Sequence, residues 1–142
     1  MKEKNKRKKG SSGFHRKVSQ DFFDKNRKKQ GVIETDSGLQ YQIIEEGDGN
    51  ESPDANAYVV AHQRCQLLDG KILIDTYKEN EPSEIKVVEL IEGYQEGIQL
   101  MQKGSRYKFF IPADLAWGKK GSGKKIPPNA ALIFDVRLID FW

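Results

Sequence analysis

The spacing of apolar residues along the chain changes near residue 31. Upstream of this point, apolar side chains recur at helical spacing among lysines and arginines, at Phe14, Val18, Phe22 and Phe23. The spacing predicts an amphipathic helix over residues 14–30, ended by Gly31. Its apolar stripe is expected to pack on the rest of the domain. Packing on a second copy of the chain is the alternative.

Downstream of residue 31, the apolar positions alternate or form short runs, which is typical of β-strands. The predicted strands lie in LQYQII, AYVVAHQRCQLL, KILID, IKVVEL, SRYKFFIP and AALIFDVRLIDF. Asp69-Gly70 is a hairpin signal between the second and third of these segments.

One helix interrupts the strands. In EGYQEGIQLMQKGS, Tyr94, Ile98 and Met101 share one face, and Gly104 fits the position after the helix end. An antiparallel sheet with one short apolar-faced helix against it predicts an α+β domain.

Charge is distributed unevenly. The chain of 142 residues has a formal net charge of +3. Residues 1–30 contain 12 Lys/Arg and 3 Asp/Glu, and the remaining residues contain 12 Lys/Arg and 18 Asp/Glu, so the first part is basic (+9) and the second acidic (−6). KEKNKRKK and the GSSG after it predict a disordered basic arm. A weak contact of this arm with RNA, the ribosome or an anionic surface is the alternative role.

Three segments are therefore expected: a basic arm (1–13), a helix with its lead-in (14–37) and a folded domain (38–142). Cys65 is the sole cysteine, which excludes an internal disulfide and favours a reducing compartment. With His15 and His62 far apart, no metal cage is evident and none is expected. The chain lacks an apolar run of about 20 residues and a visible signal peptide, so the expected location is the cytoplasm, or the periplasm if a signal was removed.

The segment WGKKGSGKKIPPN, residues 117–129, combines a glycine-rich loop that holds four lysines with a stiff Pro-Pro pair. A mobile loop beside a rigid one predicts a flap over a pocket. The lysines, Lys119, Lys120, Lys124 and Lys125, keep such a loop solvated, or they favour peptides with Asp or Glu near the site.

Three ordered blocks resemble the FKBP-type peptidyl-prolyl cis-trans isomerases over about residues 38–142. LLDGKILIDT resembles L-x-D-G-x-x-F-D-S, and LIEGYQEGIQLMQKGS resembles V-I-x-G-W-x-E-G-L-x-x-M-x-x-G. IPADLAWGKKGSGKKIPPNAALIFDVRLIDF resembles the family's flap and last strand. The upstream FFDKNRKKQGVIETDSGLQYQIIEEGDG is similar to the lead-in of the bacterial Mip-like group.

The resemblance implies a curved antiparallel half-barrel wrapped around one short helix, with a cleft for a prolyl ring between them. It implies an enzyme that accelerates rotation about X-Pro bonds in unfolded or folding polypeptides without a cofactor. Proline-containing polypeptides are the implied substrates, and FK506-like macrolides are implied ligands. A binding or chaperone module with weak or no isomerase activity is the alternative.

The resemblance also assigns the residues of the cleft. The implied catalytic residues are Asp75, Tyr94, Trp117 and Phe134, where the Asp75 carboxylate faces the twisting carbonyl and the prolyl ring rests on Tyr94. The implied substrate-binding residues are Gln63, Ile74, Leu90, Ile91 and Ile126, of which Ile91 offers its backbone N–H to a substrate carbonyl and Ile126 forms the flap wall.

The sequence departs from the family pattern at three of these positions. Gln63 stands where an aromatic residue is usual, Ile74 replaces Phe, and Tyr94 replaces Trp. One residue is also inserted between Gly70 and Asp75. Each lost aromatic contact removes ~0.5–1.5 kcal/mol of binding free energy. Isomerase activity is therefore expected to be lower by a factor of about ten or more.

Overall fold

The computed structural model describes the backbone of residues 2–142 and the side chains of residues 13–142. Helix α1 spans Lys2–Asn26, and two short helices follow, α2 at Thr76–Glu79 and α3 at Glu92–Ile98. The strands are β1 (Val32–Glu34), β2 (Gln40–Glu45), β3 (Tyr58–Leu67), β4 (Ile72–Asp75), β5 (Ser83–Lys86), β6 (Arg106–Ile111) and β7 (Leu132–Phe141). Single 3-10 turns lie at Val87–Glu89 and Ala113–Leu115.

The strands form one antiparallel sheet in the order β1-β2-β6-β7-β3-β4, and β5 also pairs with β3. The long strand β3 alternates buried and less buried positions, because one face of the sheet curves around α3 while the other faces outward. The first half of β7, from Leu132 to Val136, is buried on both faces. The predicted α+β half-barrel is confirmed.

The core lies between the inner face of the sheet and α3. Tyr94, Ile98 and Met101, which the helical spacing placed on one face, are all buried there with Phe109 of β6. Gly97 allows the close approach of helix and sheet, since a Cβ at this position would lie 2.5 Å from the Phe109 ring. This packing fixes the start of α3 against the sheet.

Helix α1 packs on the outer face of the same sheet. Phe23 is buried with Phe110 and Ile133, and Phe22 lies over Phe110 at 5.8 Å between ring centroids. The amide of Asn26 donates to Gln40 Oε1 at 2.9 Å, and both side chains are buried. The predicted packing of the helix on its own domain is confirmed for this end of α1.

The helix boundaries differ from those predicted. The helix begins at Lys2 rather than at residue 14, so the backbone of the expected disordered arm is helical where the structure describes it. Lys, Arg and Glu are good helix formers, which favours a helix over residues 2–9, although Gly10 and Gly13 each oppose it by about 1 kcal/mol relative to Ala. The side chains of residues 1–12 lie outside the described residues. No helix in the described part of the chain is both long and apolar enough to cross a membrane.

Candidate functional site

A mostly apolar cleft of about 220 Å³ lies between α3 and the curved sheet. Nine side chains line it: Gln63, Ile74, Ile85, Glu89, Leu90, Ile91, Tyr94, Trp117 and Phe134. A larger hollow of about 620 Å³ lies elsewhere, beside Glu45, Lys103 and Arg137, but it is open and charged. The smaller cleft is the better candidate because apolar and aromatic side chains surround it.

Two aromatic rings form the floor of the cleft. Tyr94 lies in the first turn of α3 and Phe134 on the inner face of β7, with 4.8 Å between ring centroids and 53° between ring planes. Tyr94 is 1% exposed and its hydroxyl has no hydrogen-bond partner among the described residues. Burial raises the pKa of the Tyr94 phenol far above its ordinary value, so the side chain stays neutral.

The turn before α3 supplies one wall. The Leu90 carbonyl accepts a hydrogen bond from Gln95 Nε2 at 2.6 Å, and the Ile91 carbonyl accepts from the Gln95 N–H at 2.9 Å. Gln95 therefore fixes this turn from within the helix. In the hydrogen bonds between described residues, the Ile91 N–H has no acceptor. A backbone donor at the edge of an apolar cleft suits a substrate carbonyl.

The opposite wall comes from β3 and β4. Residues that face each other across antiparallel strands lie on the same face, so Ile74, opposite the buried Cys65, faces inward. A β-bulge skips Leu73 in this pairing. Gln63 is only 6% exposed, and its backbone N–H donates to Thr76 Oγ1 at 2.7 Å.

Trp117 lies at the rim of the cleft and is 39% exposed. It opens the flap, which we define as residues 117–129. The Gly118 N–H donates to the Ala113 carbonyl at 2.7 Å, and the Asn129 N–H donates to the Gly118 carbonyl at 2.8 Å. These bonds close the base of the flap and hold the indole beside the aromatic floor.

Seven of the nine predicted site residues line the cleft, and two do not. Asp75 lies opposite Arg64, whose side chain is on the outer face. Its carboxylate caps α2 by accepting the Lys78 N–H at 3.2 Å. The predicted catalytic role of Asp75 is therefore corrected: strand alternation turns its side chain away from Ile74 and the cleft, and Asp is a favoured helix cap.

Ile126 is the second predicted residue outside the lining. Its backbone pairs with Ser122 within the flap, and its side chain packs against the core cluster that includes Tyr94 and Phe134, so its role in the flap wall stays a prediction. Two lining residues, Ile85 and Glu89, were missed by the sequence analysis. The signal for Ile85 was its position in β5, opposite the buried Val59. Glu89 gave no sequence signal, because a glutamate before a turn is usually only solvated.

The strongest charge cluster lies outside the cleft, on the outer face of the sheet. Arg106 binds both oxygens of Asp135 at 2.9 Å, and the Tyr77 hydroxyl donates to Asp135 at 3.2 Å. Burial disfavours ionised Asp135, but Arg106 and its other partners outweigh this and lower the pKa of the carboxyl. The ring of Tyr77 also stacks on His62 at 5.1 Å. This network anchors α2, which follows β4.

The arrangement suits the binding of a compact apolar ring. Glu89, which is exposed, carries the only carboxylate among the described lining residues. Cys65 lies beneath the cleft, and burial raises the pKa of its thiol to about 12, so it stays a neutral thiol. The chemistry that this lining offers is desolvation, one backbone donor and aromatic contact.

Comparisons with known proteins agree with this geometry. The chain is 41% identical over 125 residues to the FKBP-type peptidyl-prolyl cis-trans isomerase FkpA of Aeromonas hydrophila, which covers 88% of this chain and 46% of that protein. It is 37% identical to the FKBP-type 22 kDa peptidyl-prolyl cis-trans isomerase of Escherichia coli, over 84% of this chain and 57% of that one. It is 36% identical to the outer membrane protein MIP of Legionella longbeachae, over 92% and 58%. The chain thus spans about half the length of these curated relatives.

The crystal structure of FkpA from Escherichia coli superposes with a TM-score of 0.88 at 34% identity, and covers 94% of this chain and 62% of that one. A peptidyl-prolyl cis-trans isomerase from Pseudomonas syringae gives 0.84 at 29% identity, over 92% and 95%. Residues 1–43 match the domain amino-terminal to FKBP-type peptidyl-prolyl isomerases. Residues 49–139 match the FKBP-type isomerase domain itself. The chain belongs to the FKBP-type peptidyl-prolyl cis-trans isomerase family.

Proposed function

We propose that the protein is a peptidyl-prolyl cis-trans isomerase that accelerates rotation about X-Pro bonds in unfolded or folding polypeptides. The observation that carries the proposal is the apolar cleft, with Tyr94 and Phe134 as its floor and the Ile91 N–H as a free donor at its edge. These features supply a ring-sized site and an anchor for the substrate chain.

The physical problem for such an enzyme is amide resonance. Rotation about a peptide bond costs ~18–20 kcal/mol, and uncatalysed exchange of an X-Pro bond takes on the order of tens to hundreds of seconds. At the twisted geometry the C–N bond is nearly single and the group is less polar than when planar. A dry apolar cleft therefore destabilises the planar amide relative to the twisted one, and each ~1.36 kcal/mol of difference is worth tenfold in rate.

Each part of the cleft has a role in this scheme. The prolyl ring rests on Tyr94, with Phe134 beside it and Trp117 closing over it from the rim. The Ile91 N–H binds a substrate carbonyl and fixes the chain on one side of the rotating bond. Leu90, Ile74 and Ile85 exclude water from the imide. Gln63 brings a polar amide to this wall, which weakens the desolvation and lowers the rate.

A protease-coupled assay on a short proline peptide tests the proposal, with Trp117→Ala as the diagnostic variant. Loss of the indole removes an aromatic contact worth ~0.5–1.5 kcal/mol, so kcat/KM should fall about two- to tenfold. The matched control is Trp142→Ala, because Trp142 is also exposed but stacks on Tyr58 outside the cleft. If the wild-type protein does not raise the X-Pro exchange rate above that in buffer alone, the proposed isomerase activity is refuted.

The second candidate is a binding or chaperone module of the same fold with little isomerase activity. The polar Gln63 on the cleft wall favours it. In this case an FK506-like macrolide or an unfolded proline-rich chain would bind the cleft, while the X-Pro exchange rate would remain that of free peptide. Measuring binding and exchange on the same samples separates the two functions.

Partners and location remain predictions. Proline-containing polypeptides and FK506-like macrolides are the expected ligands of the cleft. We retain monomer and helix-mediated dimer as alternatives, and a weak nucleic-acid or ribosome contact for the basic arm. The cytoplasm is the predicted location. The name of the Legionella relative, an outer membrane protein, favours the alternative outside the cytoplasm.

A further inference from the structure

The flap carries an unbalanced positive charge. Lys119, Lys120, Lys124 and Lys125 are all exposed, and none of them takes part in an ion pair or side-chain hydrogen bond within residues 13–142. Four like charges within seven residues repel one another. Since the chain from residue 31 onward is otherwise acidic, these lysines concentrate positive charge at one place on the domain.

The backbone of the flap holds these lysines in a defined place. Ser122 and Ile126 exchange both backbone hydrogen bonds, at 2.8 and 3.1 Å, so the tip is a tight hairpin. Gly121 has a φ of +66°, and a Cβ there would collide with the Ile126 carbonyl. Trp117 at the base of the flap lines the cleft, and Lys119 and Lys120 follow it within three residues. Lys124 and Lys125 lie at the tip, between Ser122 and Ile126.

A negative charge lies at another part of the cleft lining. Glu89 belongs to the 3-10 turn before α3 and is exposed. Its carboxylate has no ion pair or hydrogen bond among the described residues. The cleft lining thus carries a negative charge at the turn before α3, and the lysine-rich flap begins at Trp117, another residue of the same lining.

We propose that this cleft selects proline segments by the order of their charges. The preferred substrate carries Asp or Glu on the side of the proline that meets the flap, and no acidic residue on the side that meets Glu89. The inference rests on the isomerase function proposed above and specifies its substrate class. Pairs of exposed charges change affinity about two- to fivefold, and salt weakens their interaction.

The test uses two peptides of identical composition, with Glu on one side of the proline and Lys on the other, in the two possible orders. A neutral peptide is the reference. Binding is measured from the NMR signal of the Trp117 indole N–H, and kcat/KM from exchange of the same peptides. We expect one order to bind about two- to fivefold more tightly at low ionic strength, and the difference to vanish near ~0.5 M salt.

Variants identify the source of the preference. Replacing Lys119, Lys120, Lys124 and Lys125 together by Gln should remove most of it. Glu89→Gln should improve binding of the disfavoured order, whose Glu it no longer repels, and weaken binding of the preferred order, whose Lys it no longer attracts. The control replaces four exposed lysines outside the flap and the cleft lining, Lys25, Lys28, Lys29 and Lys103, by Gln. It changes the net charge equally and should leave the preference intact.

The outcomes separate this inference from the proposed function. Equal affinities for the two orders in the wild type, or equal loss of preference in the control variant, would overturn the inference and leave the lysines as a solvated loop. A charge-order preference in binding with no catalysis of the neutral peptide would instead refute the isomerase and support a binding module. Failure of all three peptides to bind would overturn both.

Discussion

At the scale of single residues, Tyr94 has an aromatic ring that forms the floor of the cleft and a buried hydroxyl that lowers the stability of the fold. A buried hydroxyl without a partner costs ~1–3 kcal/mol. Tyr94→Phe keeps the ring that supports the prolyl group and removes this penalty. We predict that the variant keeps wild-type kcat/KM and is more stable by about 1 kcal/mol, measured by urea unfolding.

Tyr107→Phe is the matched control, since its buried hydroxyl donates to Glu46 at 2.8 Å. This variant should lose ~0.5–1.5 kcal/mol of stability. A Tyr94→Phe protein that is less stable than the wild type would mean that the hydroxyl has a partner in solution.

Gln63 is the residue whose replacement should improve the enzyme. It is buried on the cleft wall, where a polar amide weakens desolvation. We predict that Gln63→Tyr raises kcat/KM about threefold or more by adding an aromatic contact. Gln66→Tyr, on the other face of the same strand, should leave turnover unchanged. A simultaneous fall in activity and in stability at Gln63→Tyr would show overpacking and reject the prediction.

At the scale of elements, the outer-face network of Asp135, Arg106 and Tyr77 anchors α2 to the sheet. The pKa of the Asp135 carboxyl is lower in the folded protein than in the unfolded chain. The stabilisation from its ionised form is therefore fully present above the ordinary aspartate pKa near ~3.9, and it is lost as the pH falls through the lower pKa of the folded state. We predict that Asp135→Asn loses ~1.5–3 kcal/mol at pH 7. The stability curves of the wild type and the variant should converge toward pH 2, as measured by denaturant unfolding at several pH values.

Asp140→Asn is the control for that experiment. Asp140 also pairs with a base, Lys103 at 2.8 Å, but both side chains are about half exposed. The free energy of unfolding should change by less than ~1 kcal/mol at pH 7. A parallel offset between Asp135→Asn and the wild type from pH 7 to pH 2 would contradict the assigned role of the ionised carboxyl.

The elements also separate what the sequence could predict from what it could not. The alternation in β3 and the spacing of Tyr94, Ile98 and Met101 predicted the sheet and the helix, and the family resemblance implied the floor of the cleft. These patterns are local, although the helix ends at Ile98 and Met101 lies beyond it. The face of Asp75 was not predictable, because it depends on how the Leu73 bulge sets the register of β4 against β3.

At the scale of the whole molecule, the candidate site is one apolar cleft between a helix and a curved sheet, while lysines are concentrated on α1 and the flap. Family membership rests on residues 49–139, and α1 extends from this domain at its amino-terminal side. Burial of the Asn26–Gln40 pair joins the two parts. Gln40→Leu should therefore destabilise the packing of α1 and leave X-Pro exchange unchanged, as compared by proteolysis and exchange kinetics.

In the proposed mechanism, the cleft lowers the rotation barrier by desolvation and binding, without proton transfer. The most direct test is the X-Pro exchange rate of a neutral peptide with added protein, measured by exchange NMR from pH 6 to pH 9 in H₂O and D₂O. We predict exchange well above that of free peptide, with a flat pH profile and no solvent isotope effect, because Tyr94 stays neutral and Asp75 lies outside the cleft. A bell-shaped profile, or a rate equal to that of free peptide, would contradict the claim.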